Sequence, residues 1–350
     1  STPISVISAM REASTMNIMV KGGKYLEEFA LADTIVFDKT GTLTVASPKV
    51  VDVIPFAGYT KQDVLRTAAC LEEHFPHSVA RAIVRKAAEE NLKHCEEHAA
   101  VEYVVAHGIA TKLHGKRALI GSAHFIFDDE GVPLGDEERS AIEKESEHGR
   151  SLIFLAIGDQ LAGIICIEDA IRPMAGEVIA ALKDLGITNV VMITGDGEAT
   201  ARAVASTIGI DRYYSQVLPE DKAAIINDLK MSGRKVIMVG DGVNDTPGLA
   251  AADVSVAMKD ASDIAQEVAD ITLLSADLRE LILLRTLSTK LLDRINTNYR
   301  FILGFNTGLL VLGQLGVLTP ATSALLHNMS TMGISAGSMR PLLCDTGTHG

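Results

Sequence analysis

Thr34-Ile35-Val36-Phe37-Asp38-Lys39-Thr40-Gly41-Thr42-Leu43-Thr44 is the stretch on which the reading of this chain turns. Its first four residues form a short apolar run of β type that ends on an acid. An Asp at a strand end, followed by a Gly-containing turn, is placed to attack phosphorus and carry the phosphoryl group. Thr and Gly in the turn leave backbone N–H groups free to hold phosphoryl oxygens. Two more apolar runs end alike: 188–193 at Thr194-Gly195-Asp196-Gly197, and 235–239 at Gly240-Asp241-Gly242-Val243-Asn244-Asp245. Helical patterns at 174–185 and 220–231 lie between them. Strands alternating with helices predict an α/β fold with a doubly wound parallel sheet, whose site forms at the carboxyl ends of the strands.

The chemistry at those ends is consistent. Thr194, Gly195 and Asp196 offer a hydroxyl and backbone donors. Lys222, in Pro219-Glu-Asp-Lys222, opens a helix and can neutralise a phosphoryl group. The Gly240–Asp245 hexad supplies hard oxygen ligands of the kind Mg²⁺ takes when it bridges phosphate to protein.

Outward from this core, residues 47–161 read as an inserted α+β domain with helices at 62–73 and 78–91 and β-type runs at 100–106, 112–120 and 152–157. The core domain is then 24–46 and 162–285, preceded by 1–23, the end of a membrane span and its extension, and followed by 286–350. Residues 299–339 carry one charged side chain, Arg300, and Pro320 divides them into two runs. At 1.5 Å per residue each run reaches about 28 Å, near the thickness of a bilayer's hydrocarbon core. They predict a C-terminal transmembrane hairpin, with Lys290, Arg294, Arg300 and Arg340 on the cytoplasmic side.

Composition agrees with a mosaic of soluble and membrane parts. Hydrophobic residues are 47% of the 350 and charged residues 22%, which excludes a disordered chain. The net charge of -13 speaks against a nucleic-acid partner. Cys70, Cys95, Cys166 and Cys344 are scattered, as in a reducing compartment rather than a disulfide framework. The chain opens on Ser1-Thr2-Pro3 and reads as a piece of something longer.

In order and wording, Asp38-Lys-Thr-Gly-Thr, Asp169-x-x-Arg172-Pro173, Thr194-Gly-Asp, Lys222 and Gly240-Asp-Gly-Val-Asn-Asp resemble the P-type ATPases. The resemblance implies a haloacid-dehalogenase-like core in which Asp38 is the phosphorylated nucleophile. Lys39 and Thr40 would stand beside it, and Thr194, Gly195, Asp196 and Lys222 around the phosphoryl group. Asp38, the Thr40 carbonyl and Asp241 would hold Mg²⁺, supported by Asn244 and Asp245. Thr40 stands where simple phosphatases of this core carry an acid, so the acyl phosphate is expected to persist. The group that activates water would lie in an upstream actuator domain, together with further membrane spans.

The insert resembles the nucleotide-binding domain of the heavy-metal branch. Glu72 and His77 match its Glu…His pair, with Ser78 where Pro is usual, and Gly108-Ile109-Ala110 replaces a Gly-x-Gly. Glu72, His77, Gly108 and Ala110 are therefore expected to bind ATP. Ser1-Thr2-Pro3, Ser8–Ala13 and Val20-Lys21-Gly22-Gly23 resemble the segment after that branch's metal-binding Cys-Pro span.

For the ion, Leu326-His327-Asn328-Met329-Ser330-Thr331 puts an imidazole, an amide, a thioether and two hydroxyls on the last helix. His327, Asn328 and Thr331 suit a divalent transition metal of the Mn, Zn, Cd or Co class. Asn306 and Gln314 are assigned to helix packing. His94-Cys95-Glu-Glu-His98, the Asp128–Glu138 loop and Cys344, Asp345 and His349 read as solvated segments. The whole implies ATP-driven metal export at the inner membrane of a prokaryote. A soluble phosphatase or phosphotransferase with the same core and a potassium-pump catalytic subunit are the alternatives.

Overall fold

Ile35, Val36 and Phe37 are an apolar run that belongs in a core, and all five residues of Thr34–Asp38 are buried. In the computed structural model, which describes residues 2–45, 47–73, 78–92, 102–104, 108–113, 115–259 and 261–343, they form one of thirteen described strands. In chain order α1 (Thr2–Thr15), β1 (Ile18–Val20), α2 (Gly23–Leu31) and β2 (Thr34–Asp38) lead into a turn at 39–43. Next come β3 (Lys49–Pro55), α3 (Lys61–Glu72), α4 (Ser78–Glu89), β4 (Glu102–Val104), β5 (Gly108–Leu113) and β6 (Lys116–Gly121). Then follow α5 (Asp136–Glu147), β7 (Ser151–Ile157), β8 (Gln160–Glu168), α6 (Ala175–Asp184), β9 (Asn189–Ile193), α7 (Glu198–Ile208) and β10 (Arg212–Tyr214). The rest is α8 (Asp221–Met231), β11 (Val236–Gly240), α9 (Thr246–Ala251), β12 (Val254–Ala257), α10 (Asp263–Val268), β13 (Ile271–Leu273), α11 (Arg279–Gln314) and α12 (Pro320–Ser338).

One sheet is ordered β1-β13-β12-β11-β2-β9-β10. β10 lies parallel to β9, β11 to β12 and β12 to β13, whereas β1 closes one edge antiparallel to β13. The sheet is therefore mixed at that edge rather than parallel throughout. The chain divides into two compact units, Ser1–Ile35 with Ala180–Asn189 and Ile226–Gly350, and Val36–Ile179 with Val190–Ile225.

In the second unit, a six-stranded antiparallel sheet is ordered β3-β8-β7-β6-β5-β4. Its strands alternate their faces as a two-residue period requires. Along β8, Ile165 and Ile167 pack with Val64, Leu65 and Ile83 of α3 and α4, while Ile164 and Cys166 pack with Phe125 and Phe154. α3 crosses at Gly163, where a Cβ would fall 2.7 Å from Val64. The run predicted as one strand at 112–120 is a hairpin: β5 and β6 pair from Leu113 and Lys116 outward, and Gly115 takes φ +79 at the turn. That is a conformation natural to glycine. β8 is the second strand of this sheet, so the sheet's own residues run on to Glu168.

In the first unit, Leu281, Leu284, Leu287 and Leu291 make one buried stripe of α11 at helical spacing. Arg285 of the same helix donates to the carbonyls of Phe29, Ala30 and Leu185, closing the exposed end of α2. Further along, Arg294 donates to the carbonyls of Ser338, Arg340 (2.6 Å) and Pro341, and Glu12 accepts the N–H groups of Leu342 and Leu343 at 2.8 and 2.7 Å. α1, α11 and the end of α12 are tied together by these bonds.

The predicted hairpin is present as the distal part of α11 followed by α12. Its turn ends at Thr319, whose hydroxyl accepts from the Thr322 N–H, and Pro320 opens α12. Among the described residues, however, no helix is long and apolar enough to cross a membrane. For α12, polarity and not length is the reason: its 19 residues reach about 28 Å, but they include His327, Asn328, Ser330 and Thr331. Tyr299, Phe301, Leu310, Leu312, Met329 and Met332 are exposed on the two helices.

Candidate active site

The second unit builds a buried polar cluster around the end of β2. Asp38 is 7% exposed and Lys222, from the first turn of α8, is 6% exposed. The Lys222 ammonium donates to Asp38 Oδ1 at 2.7 Å. A strand end and a helix start, far apart in sequence, thus present a carboxylate and a cation to each other out of water.

The turn after Asp38 is held from several sides. Gly41 takes φ +76, and its N–H donates to Thr44 Oγ1 at 3.0 Å. Arg172 donates to the carbonyls of Thr42 and Gly41, both at 2.8 Å. The chain's return from the insert is stitched to this turn, with Arg172 N–H on the Leu43 carbonyl and Val45 N–H on that of Ala170. Thr44 also donates to Asp169. The Asp169-x-x-Arg172-Pro173 segment is therefore a fastener of the Asp38 turn. Thr40 is exposed, and the Thr42 hydroxyl is buried with no hydrogen-bond partner among the described residues.

Lys39 points away from solvent, 3% exposed, and forms an ion pair with Asp196 of the loop after β9. Burial by itself pulls the Lys39 ammonium down, but the Asp196 carboxylate outweighs it, aided by Asp169 and Asp38, and leaves it above its ordinary range. Burial likewise pushes Asp196 up; Lys39 and the hydroxyls of Ser151 and Thr194 outweigh that and hold it below the usual carboxylate range. Thr194, 2% exposed, donates to Asp196 Oδ2 at 3.0 Å and accepts from the Asp196 N–H at 3.1 Å. Its hydroxyl is thus engaged in shaping its own loop. Ser151 is the participant that sequence reading missed, because nothing local marks a serine opening a strand of the insert as a partner for Lys39.

In the first unit, Asp245 is 2% exposed and accepts the N–H groups of Asp241 and Gly242, both at 3.1 Å. A Cβ on Gly240 would fall 2.8 Å from Asp245 Oδ2, so the turn closes only over glycine. Asp241 is half-buried and Asn244 exposed.

At the expected nucleotide positions, Glu72 is 5% exposed at the end of α3, and Ala110 is 6% exposed within the sheet core. Gly108 has a packing reason: a Cβ there would lie 2.5 Å from both the Ile120 carbonyl and the Phe125 ring. His77 lies outside the described residues, as do His94, Cys95, His98, Cys344, Asp345 and His349.

On the hairpin, His327 Nδ1 lies 2.9 Å from Asn306 Oδ1. Asn306, assigned to packing from the sequence, is thus the partner of the imidazole. Both line a groove of about 490 Å³ with Leu309, Leu310, Pro320, Ser323 and Ala324. Thr331 and Ser330 turn their hydroxyls onto the His327 carbonyl, at 3.0 and 2.8 Å, and Asn328 is exposed.

Residues 32–253 match the family model for haloacid dehalogenase-like hydrolases. The chain is 37% identical over 342 residues to a zinc-exporting P-type ATPase of Mycobacterium marinum, covering 97% of this chain and 46% of the relative. It is 36% identical to a manganese-exporting P-type ATPase of Mycobacterium leprae, covering 97% and 47%. It is also 36% identical to a probable copper-exporting P-type ATPase V of Mycobacterium tuberculosis, covering 97% and 44%. The chain thus spans about half the length of these relatives. Among solved structures, a zinc-transporting PIB-type ATPase in an E2.Pi state aligns with a TM-score of 0.69 at 31% identity, over 98% of this chain and 55% of that one. The catalytic domain of the CPx-ATPase CopB-B aligns with a TM-score of 0.64 at 30% identity, over 79% and 98%.

Proposed function

The chain belongs to the heavy-metal P-type ATPases, within the haloacid dehalogenase-like hydrolases, and from that premise we propose that it uses ATP to phosphorylate Asp38 and so drives export of a divalent transition-metal ion. The observation that carries the reading is the buried Asp38–Lys222 pair beside the Lys39–Asp196 pair.

An Asp38 carboxylate oxygen attacks the γ-phosphorus, the bond to the β-γ bridging oxygen breaks, and ADP departs with that oxygen. Lys222 holds the carboxylate before attack and offsets charge on the phosphoryl oxygens as it transfers. Lys39 and Asp196 keep the turn rigid. Asp38, the Thr40 carbonyl and Asp241 are the proposed holders of Mg²⁺, with Asn244 and Asp245 behind them. These donors are all oxygens, the hard ligands that Mg²⁺ takes. Bound there, Mg²⁺ supplies electrostatic neutralisation of the phosphates. With Thr40 in place of an acid, the acyl phosphate outlives its formation. Glu72, His77, Gly108 and Ala110 are proposed to lie along the ATP site, and Gly108 is in addition a position where packing leaves no room for a Cβ.

The cargo is proposed to be a Mn, Zn, Cd or Co class ion met by His327, Asn328 and Thr331. The His327–Asn306 pair supports this by orienting the imidazole. The exposed apolar side chains of α11 and α12 support a bilayer around the hairpin, in the inner membrane of a prokaryote, with an actuator domain and further spans completing the transporter.

The test is labelling with γ-³²P-ATP. An acid-stable, hydroxylamine-sensitive label is expected, and Asp38→Asn is expected to abolish it while ATP still binds. A label that persists in Asp38→Asn rejects the assignment.

A further inference from the structure

Two hydrogen bonds join the inserted sheet to the phosphorylation segments at one place. The Lys39 ammonium donates to Ser151 Oγ at 3.0 Å. The Thr200 hydroxyl of α7 donates to the Arg150 carbonyl at 2.8 Å. Arg150 is itself anchored on Glu145 of α5. Arg150 and Ser151 are consecutive, between a left-handed Gly149 (φ +75) and the body of β7. Nearby, α5 of the insert packs against α7 of the core, and the chain itself crosses between the two near Thr44 and Ala170. The Ser151 bond reaches the side chain next to Asp38, and it can break while the chain remains intact.

We propose that Ser151 is a positioning residue for phosphoryl transfer: its hydroxyl fixes the Lys39 ammonium, and through it the Asp196 carboxylate and the Asp38 turn, whenever the insert is seated on the core. Lys39 is buried and can donate three hydrogen bonds. Asp196 takes one and Ser151 another. Without Ser151 Oγ, a buried N–H loses its acceptor, and the ammonium gains freedom beside the nucleophile. Since Ser151 opens a strand of the insert, a shift of that sheet removes the acceptor from Lys39. The site is thus completed by the domain that would deliver the nucleotide. This inference rests on the phosphorylation reading given above.

The experiment compares the full chain with its Ser151→Ala and Ser151→Thr variants. Quenched-flow labelling with γ-³²P-ATP is expected to be about tenfold slower in Ser151→Ala. KM for ATP is expected to stay within about twofold, and Ser151→Thr is expected to restore the rate. In parallel, the ¹⁵N ammonium signal of Lys39 is expected to be protected from solvent exchange in the parent and in Ser151→Thr, and to lose that protection in Ser151→Ala. Labelling of Ser151→Ala at the parental rate overturns the proposal. A rate loss that threonine does not rescue also overturns it, as does an ammonium signal that is the same in all three proteins. If the parent takes no label, the phosphorylation reading fails, and the ammonium comparison still decides the role of Ser151.

Discussion

Lys39 and Asp196 show how side chains one would expect at the surface come to be buried, as Lys39 is, or half-buried, as Asp196 is. Each is destabilised by loss of water, and each is restored by the other. Removing one partner leaves the other charged and desolvated. Asp196→Asn is therefore expected to cost about 3–5 kcal/mol of stability, measured by urea denaturation, and a loss below about 1 kcal/mol would contradict this account. Gly108 is a second single-residue case. Its motif reading pointed to ATP, whereas the structure sets the Ile120 carbonyl and Phe125 ring against any Cβ. Gly108→Ala is expected to destabilise by about 1–3 kcal/mol through overpacking, visible as a lower urea midpoint without nucleotide. The sequence could show that a glycine was unusual here. It could not show which atoms crowd it, because Phe125 and Ile120 arrive from other parts of the insert.

At the level of elements, local signals were readable wherever a cap or period announced them. Thr60 and Asp63 form a reciprocal capping box that starts α3, with Asp63 N–H donating to Thr60 Oγ1 at 3.1 Å and Thr60 N–H to Asp63 Oδ2 at 3.2 Å. Thr60→Ala is expected to cost about 1 kcal/mol, read from thermal unfolding. The hairpin at β5 and β6 was not legible as two strands, because in the sequence 112–120 read as one β-type run and the positive φ of Gly115 that reverses it shows only in three dimensions. The joint between α1, α11 and the end of α12 had no sequence signature either. There, Glu12→Ala is expected to speed hydrogen exchange at Leu342 and Leu343 by about tenfold, since their N–H groups lose a charged acceptor. Unchanged exchange at those two amides would show that the joint is held otherwise.

Over the whole molecule, the acid limb of stability follows from how its carboxylates are held. Asp196 is lowered as described; Asp52 is lowered by Lys61 against its own burial, and Asp63 by Thr60. Glu198 is brought to about 2 by Tyr213, then Ser215 and Arg202. Groups whose folded values lie below their unfolded ones stabilise fully above the ordinary carboxylate range near pH 4 and lose that contribution as pH falls through the folded values. Glu280 has the opposite sign, since burial raises it and it favours folding as it protonates. The lowered groups outnumber it, so the urea midpoint is expected to fall between pH 5 and pH 3. A midpoint that is flat or rising there would show that these carboxylates do not govern acid stability.

What the sequence determined by itself was the strand ends and the residue types standing on them. A five-residue apolar strand closing on an acid is local information, and so is a helix period. What only the tertiary structure decided was who meets whom: Ser151 with Lys39, Arg172 with the carbonyls of Gly41 and Thr42, Asn306 with His327. Each pair joins side chains from separate elements. Their meeting depends on how a sheet or helix is seated, and no propensity of the intervening chain encodes that.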